Sequence, residues 1–380
     1  MKKTIKTILW IVIILIIIGG IWYGVSKKPV AEKEVIKIGA MLMLSGEGAA
    51  WGQASQRGIE LAVNEVNENS GINGKKIKMI YEDTQGRAPN AVSAYEKLTK
   101  IDKVRAIIGP LLQTEVSAIA PLTDKDKFPV IAPSYTPIVN RPNPRNPLLI
   151  WLDPTIEAEQ MAEYVYNQGV RTISVLGTQD SWEKEVSTAF ANKFESLDGA
   201  IYFKDLLKID ETDVKTVILK TIKDDPDAVF LGTYFQFLNL TRVLNEFGYQ
   251  GELYSIEVDE YLANESKSFT SGLQFISSDL YRESFRIKYE EIYKEKSNIP
   301  AGQSYDAMNI LISFLRDDPT QEDLLNTFES FKKYEGVSGV ITITEDNKTI
   351  IPTAIYELEN GAIKKIETIK NGQFVPYVGE

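Results

Sequence analysis

Val35-Ile36-Lys37-Ile38-Gly39-Ala40-Met41-Leu42-Met43 runs directly into Leu44-Ser45-Gly46-Glu47-Gly48-Ala49-Ala50-Trp51-Gly52. A segment follows with Ile59, Ala62, Val63 and Val66 at i, i+3, i+4 and i+7. The first run is short and mostly apolar, as a buried strand is, and the later spacing is that of one apolar helix face. Strand, glycine-punctuated turn and helix form the first half of a βαβ unit. Parallel α/β sheets hold ligands at the carboxyl ends of their strands, beside helix N-termini. The turn from Leu44 to Gly52 is therefore the first candidate for one wall of a binding site.

Upstream of this unit, Lys2, Lys3 and Lys6 lead into an uncharged stretch from Thr7 to Ser26. At ~1.5 Å rise, about 20 apolar residues cross the ~30 Å core of a bilayer. Trp22 and Tyr23 stand near one end, where interfacial aromatics belong, and the leading lysines favour a cytoplasmic N-terminus. The expectation is an uncleaved transmembrane anchor followed by a tether, together residues 1–34. The alternative is a signal peptide cleaved at Gly24-Val25-Ser26, which would leave the protein secreted or periplasmic. A lipid-modified cysteine is excluded, because the chain has none.

The length of 380 residues suits two domains. The formal charge is −11; six lysines and two glutamates in residues 1–34 leave −15 on the remainder. A body so acidic does not bind nucleic acid through bulk charge. The absence of histidine removes the commonest general base and the commonest transition-metal ligand. With cysteine also absent, Ser-His-Asp and Cys-His catalysis is impossible. No catalytic residue, cofactor or metal is expected.

Downstream, Lys75–Glu82 alternates as a strand after the Asn73-Gly74 turn, and Pro89 opens a helix. Val104–Ile108 is a strand, followed by a helix with Thr114 as its candidate cap. Phe128–Ala132 is another strand. A second set repeats the pattern from Thr155, with strands at Thr172–Gly177, Ala200–Leu206, Ala228–Leu231 and Leu253–Ile256. Both Ala106-Ile107-Ile108-Gly109 and Ala228-Val229-Phe230-Leu231-Gly232 are strands that stop at glycine. Three helices and three closing strands follow. The reading is α/β, with two similar doubly wound lobes.

From about Val35 to Asn347 the chain resembles the leucine/isoleucine/valine-binding protein family, the amino-acid branch of type I periplasmic binding proteins. The segments that carry the resemblance are Ile38-Gly39 through Leu44-Ser45-Gly46, Gly52, Asn69-Ser70-Gly71-Ile72-Asn73-Gly74, Ile108-Gly109-Pro110, Ile131-Ala132-Pro133-Ser134, Ser304-Tyr305-Asp306-Ala307 and Gly336-Val337-Ser338-Gly339. The resemblance implies two lobes joined by three crossovers, closing on a ligand like a hinged trap. Crossovers are expected near Trp151–Asp153, Gly272–Asp279 and Val340–Asp346. Lobe I is then 35–152 plus 276–342, and lobe II is 153–275 plus 343–380.

An amino-acid trap needs helix N-terminal amides and hydroxyls for the α-carboxylate, a carboxylate and carbonyl oxygens for the α-ammonium, and apolar or aromatic walls. The resemblance places Trp51 in the first turn. Gln113 stands where the family usually carries a serine for the carboxylate, with Thr114 beside it. Ser134, Tyr135 and Thr136 resemble the segment that meets the ammonium. Trp182 matches the family's cleft tyrosine, Tyr234 matches an aromatic after Gly232, and Glu257 matches the acid for the ammonium, with Asp259 as its competitor. Phe235 could add to this aromatic set.

The resemblance implies an extracytoplasmic substrate-binding protein that hands a small ligand, branched-chain or otherwise hydrophobic amino acid, to an ABC transporter permease. A sensor module acting through a separate signalling partner shares the fold; the lack of a signalling domain before Glu380 favours transport. The remaining alternative, an NAD-dependent enzyme, rests on Gly46, Gly48 and Gly52, whose last interval is one residue too long for G-x-G-x-x-G.

Overall fold

The computed structural model describes residues 35–46, 48–135, 145–279, 283–370 and 372–378. The expected anchor, Thr7–Ser26, lies outside the described residues, and among those no helix is long and apolar enough to cross a membrane.

The opening stretch folds as β1 (Val35–Leu42) and α1 (Ala49–Glu68). Ile38 to Leu42 are buried because β1 lies inside a sheet, paired in parallel with β2 (Lys76–Asp83) on one side and β3 (Ile107–Ile108) on the other. α2 (Ala88–Glu96), α3 (Gln113–Asp126), β4 (Val130–Ala132) and β5 (Leu148–Leu149) complete a five-stranded parallel sheet of order β2-β1-β3-β4-β5. The order reverses between β1 and β3, and a doubly wound sheet opens its ligand crevice at such a point.

The chain then enters a second unit: α4 (Pro154–Asn167), β6 (Thr172–Thr178), α5 (Ser181–Ser196), β7 (Ala200–Leu207), α6 (Lys215–Thr221), β8 (Ala228–Leu231), α7 (Phe237–Glu246), β9 (Glu252–Ile256), α8 (Glu260–Ser266) and β10 (Gln274–Ser278). Its parallel strands run β7-β6-β8-β9-β10, the same winding as the first sheet. The weak sequence echo between the two halves thus corresponds to a repeated topology, with the second switch point between β6 and β8.

After β10 come α9 (Glu283–Tyr293), α10 (Ile299–Leu315) and α11 (Gln321–Ser330). Leu311 and Phe328 join Ile38 and Ile108 in the core of the first lobe. β11 (Lys333–Gly336), β12 (Gly339–Ile343) and β13 (Thr349–Ile350) form a small antiparallel sheet. β14 (Thr353–Glu359), β15 (Ala362–Lys370) and β16 (Gln373–Pro376) extend the second sheet through the antiparallel pair β10/β14. The chain passes between the sheets at 150–153, after Ser278 and at 351–352. The last passage lies beyond the expected Val340–Asp346, because β12 pairs with β11 and β13 before the chain crosses. β10 remains whole in the second sheet.

Two segments quoted from the sequence meet in space. The Asp306 carboxylate is fully buried and accepts the backbone N–H of Val337 and of Ser338, each at 2.9 Å. A Cβ on Gly336 would stand 2.3 Å from Asp306 Oδ2, so the approach requires glycine there. Gly52 is equally constrained: a Cβ on it would lie 1.8 Å from the Met43 carbonyl oxygen, so α1 can start against the end of β1 only without a side chain. Gly52→Ala is expected to lower stability by at least about 2 kcal/mol, as forced overpacking does, measured as a drop in the urea midpoint of unfolding.

Candidate ligand-binding site

The carboxyl ends of both parallel sheets face one seam, and the loops that leave them carry most of the candidate residues. Trp51, in the first turn of α1, stacks on Trp151 with ring centroids 5.8 Å apart and planes 23° from parallel. Its ring also meets Tyr234 edge-on at 5.6 Å, and its indole N–H donates to the Tyr234 hydroxyl. Trp51 belongs to the first lobe, Trp151 to the first passage and Tyr234 to the loop after β8, so three rings close the seam. Aromatic pairs in such geometry contribute about 0.5–1.5 kcal/mol beyond their buried area.

Glu257 follows β9 directly and is the centre of this region. Its φ of 48° puts a non-glycine residue in the left-handed region, a strained backbone that persists where surrounding structure over-determines it. Its N–H donates to Ile276 O at 2.9 Å. The side chain is 7% exposed; it accepts the indole N–H of Trp151, and its Oε1 has no partner. Burial pushes the carboxyl up to about 8, against which the Trp151 hydrogen bond acts. Glu157, in the first turn of α4, is 1% exposed with neither oxygen partnered. Its own carboxyl is pushed up by burial and further by the Glu257 charge.

The competitor Asp259 is committed elsewhere. It caps α8 by accepting Leu262 N–H at 2.8 Å, and it accepts the Tyr234 hydroxyl at 2.9 Å. Both Asp259 oxygens are thus bonded, whereas Glu257 Oε1 has no partner among the described residues.

Tyr234 owes its position to Glu183, which the sequence reading passed over. This buried carboxylate accepts Tyr234 N–H at 2.8 Å, Phe235 N–H at 3.1 Å and the Thr178 hydroxyl at 2.5 Å. It thereby ties the start of α5 to the β8 loop. The signal was the pattern Asp180-Ser181-Trp182-Glu183, in which Asp180 caps the helix by accepting Trp182 and Glu183 N–H. Phe235 itself is 54% exposed.

On the opposite wall, Ser134 is buried, and among the described residues its hydroxyl donates to the Tyr135 carbonyl, at 3.4 Å. The Tyr135 hydroxyl crosses the seam to donate to Glu185 on α5. Thr136 lies outside the described residues. Gln113 is the first residue of α3, with its Oε1 buried and unpartnered. Thr114 is exposed and does not cap the helix: the Glu115 carboxylate turns back to Leu112 N–H at 3.2 Å instead. Trp182 is half-buried against the core of the second lobe, and among the described residues it makes no ring contact with Trp51 or Tyr234.

An open cleft of about 650 Å³ adjoins the Tyr135–Glu185 bond, lined by Gln113 from the first lobe, by Ser181, Lys184 and Glu185 from α5, and by Thr155 and Lys348. Lys348 Nζ is 3.7 Å from Asp153, the cap of α4. Among the described residues, no three acidic side chains group so as to hold a metal ion.

The family model described as "Periplasmic binding protein" matches residues 35–362. The chain belongs to that family, as a type I binding protein of the leucine/isoleucine/valine-binding kind. The Leu/Ile/Val-binding protein BraC3 of Rhizobium johnstonii is 24% identical over 350 residues, covering 88% of this chain and 89% of that protein. A leucine-binding protein, LivK of Thermotoga maritima, superposes with a TM-score of 0.78 at 22% identity, covering 89% of this chain and 99% of its own. LivJ of Streptococcus pneumoniae, solved with isoleucine, gives 0.76 at 21% identity, covering 87% and 98%. The family is one of non-enzymatic, extracytoplasmic solute-binding proteins, so the dinucleotide reading of the Gly46–Gly52 turn is withdrawn.

The buried acid has a consequence for stability. The folded protein holds a proton on Glu257 that the unfolded chain releases above its usual value of 4.5. The Glu257 contribution to stability is therefore fully present below about 4.5 and is lost as pH rises from there through about 8. Thermal melts of the ligand-free protein between pH 5 and 8 are expected to show a falling Tm, and Glu257→Gln to flatten that slope and raise Tm at pH 8. A slope unchanged by the substitution would assign it to other groups.

Proposed function

We propose that this protein captures a small amino acid, branched-chain or otherwise hydrophobic, between its two lobes and delivers it to an ABC transporter permease. The observation that carries the reading is Glu257: a buried carboxylate with a free oxygen, held in strained backbone at a strand end, beside the aromatic walls Trp51, Trp151 and Tyr234. A desolvated carboxylate in such a place is costly unless a cation pairs with it, and an α-ammonium supplies that cation. Tryptophan faces add cation–π attraction and a flat apolar slot for the side chain. Gln113, at the N-terminus of α3, is the donor offered to the α-carboxylate, with Ser134 and Tyr135 on the same wall. The names of the relatives, which bind leucine, isoleucine or valine, favour the same class.

The Thr7–Ser26 stretch supports a further part of the reading, that an uncleaved N-terminal helix anchors the receptor at the outer face of the cell membrane. The intact mass of the mature protein tests it: a first residue at Met1 agrees, and a start at Lys27 means cleavage.

A thermal-shift screen of the twenty amino acids, with amides and small carboxylates as controls, tests the ligand class. A ligand at about 100 times its Kd adds ~2.7 kcal/mol to the folded state. Leucine, isoleucine or valine is expected to raise Tm clearly and plain carboxylates little. Trp51→Ala is expected to weaken the bound amino acid by about ten-fold or more, as loss of a central aromatic anchor does. No shift with any amino acid would end the assignment.

A further inference from the structure

The amino end of the first sheet, opposite the seam, carries charge unlike the rest of the chain. β1 begins there at Val35, level with Lys76 of β2. Arg105 lies beside them: its N–H donates to Lys37 O at 2.8 Å, and its guanidinium donates to the Pro319 carbonyl. Residues 97–105 hold Lys97, Lys100, Lys103 and Arg105 against one acid, Asp102. Lys37 Nζ donates to the Asp102 carbonyl at 3.2 Å, which ties this turn to the start of β1. Lys127 follows α3, two residues before Pro129, whose carbonyl accepts Ile107 N–H. Lys97 and Lys100 pair with Asp102 and Glu96, whereas Lys103 and Lys127 make no ion pair among the described residues. Asp124, Asp126 and the Asp317-Asp318 pair border the patch. In its middle stands Ile101, 72% exposed, on the wide π turn Lys97–Asp102 that ends α2, while Leu98 of the same turn is fully buried. The helix macrodipole accounts for lysines at a helix C-terminus, but not for an isoleucine exposed among them.

We propose that this end of the first lobe rests on an anionic lipid bilayer, with Ile101 entering the headgroup boundary and the lysines around it facing lipid phosphates. The tether, residues 27–34, joins the fold at Val35, inside the basic patch. Eight residues reach at most about 28 Å when fully extended, so an anchored chain keeps the patch close to the membrane. Lys27 and Lys28, at the membrane end of the tether, carry the same sign of charge. Basic residues are drawn to an anionic surface within a Debye length of it, and apolar residues among them add buried area at the interface. The same surface repels the acidic remainder of the chain, so the contact also sets an orientation. The first lobe stands on the lipid, the second is held away from it, and the seam lies at the far ends of the first lobe's strands. The inference rests on the anchor in the reading above and goes beyond it: the lobe itself, and not the tether alone, orients the trap.

The chain has no cysteine, so a single label reads the contact. Full-length I101C carrying the fluorophore NBD, with E246C on α7 as control, is reconstituted with vesicles of phosphatidylcholine alone or mixed with phosphatidylglycerol and then floated; doxyl-labelled lipid serves as quencher. With phosphatidylglycerol, the I101C label is expected to shift to the blue and to be quenched, and the E246C label to do neither. High salt, or K103Q combined with K127Q, is expected to abolish both effects while the protein still floats. An I101C label that behaves alike in the two lipids, or no differently from that of E246C, overturns the lipid-facing lobe; flotation with both vesicles then leaves the anchor standing. Flotation with phosphatidylglycerol alone, with the I101C label quenched, upholds the lipid-facing lobe and overturns the anchor. Flotation with neither vesicle overturns both.

Discussion

The contact on which this structure turns is the hydrogen bond from the Trp151 indole to the buried carboxyl of Glu257. Trp151 lies on the passage from the first sheet to the second, and its other face carries Trp51 of the first lobe. Glu257 lies at the end of β9 in the second lobe. One side chain thus ties the hinge, the first wall and the acid of the second wall into a single unit. Displacement of one lobe against the other must disturb the Trp51–Tyr234 contact or the Tyr135–Glu185 bond. The contacts that join the two lobes are therefore concentrated in a few side chains.

The electrostatics of the seam are what the proposed capture of an ammonium group rests on. Carboxylates at 153, 157, 185, 257 and 259 lie along it; Lys348 pairs with Asp153 and also favours the charged form of Glu185. In water such a group would cost little; buried, it raises the proton affinity of its members, as at Glu157, Glu185 and Glu257. By contrast, the buried acids Glu183 and Asp306 are engaged in holding loops.

Much of the fold was legible in the sequence. The β1–α1 unit, the order of elements and the echo between halves follow from apolar periodicity and from strands ending at glycine, which are local signals. The segments Ser304–Ala307 and Gly336–Gly339 stood out separately, and Asp306 shows why both are needed. What escaped was set by tertiary contact. β5 has two residues and gains strand character only by pairing with β4. Trp151 was placed at a crossover but not in the site, and Glu157 and Glu183 were not singled out, since nothing adjacent in sequence marks a buried carboxylate. Trp182 looked like a cleft aromatic from its place before a helix; its ring is half-buried against the core of the second lobe.

The central claim is that the two lobes close on an amino acid at the seam where Trp51 meets Tyr234. The chain contains no cysteine, so Ser93→Cys on α2 and Glu246→Cys on α7 can carry a spin-label pair across the lobes without other substitutions. Distance distributions measured with and without saturating L-leucine test the claim most directly. The account predicts that leucine narrows the distribution and shortens its mean. An identical distribution in the presence of leucine and of each other amino acid would contradict it.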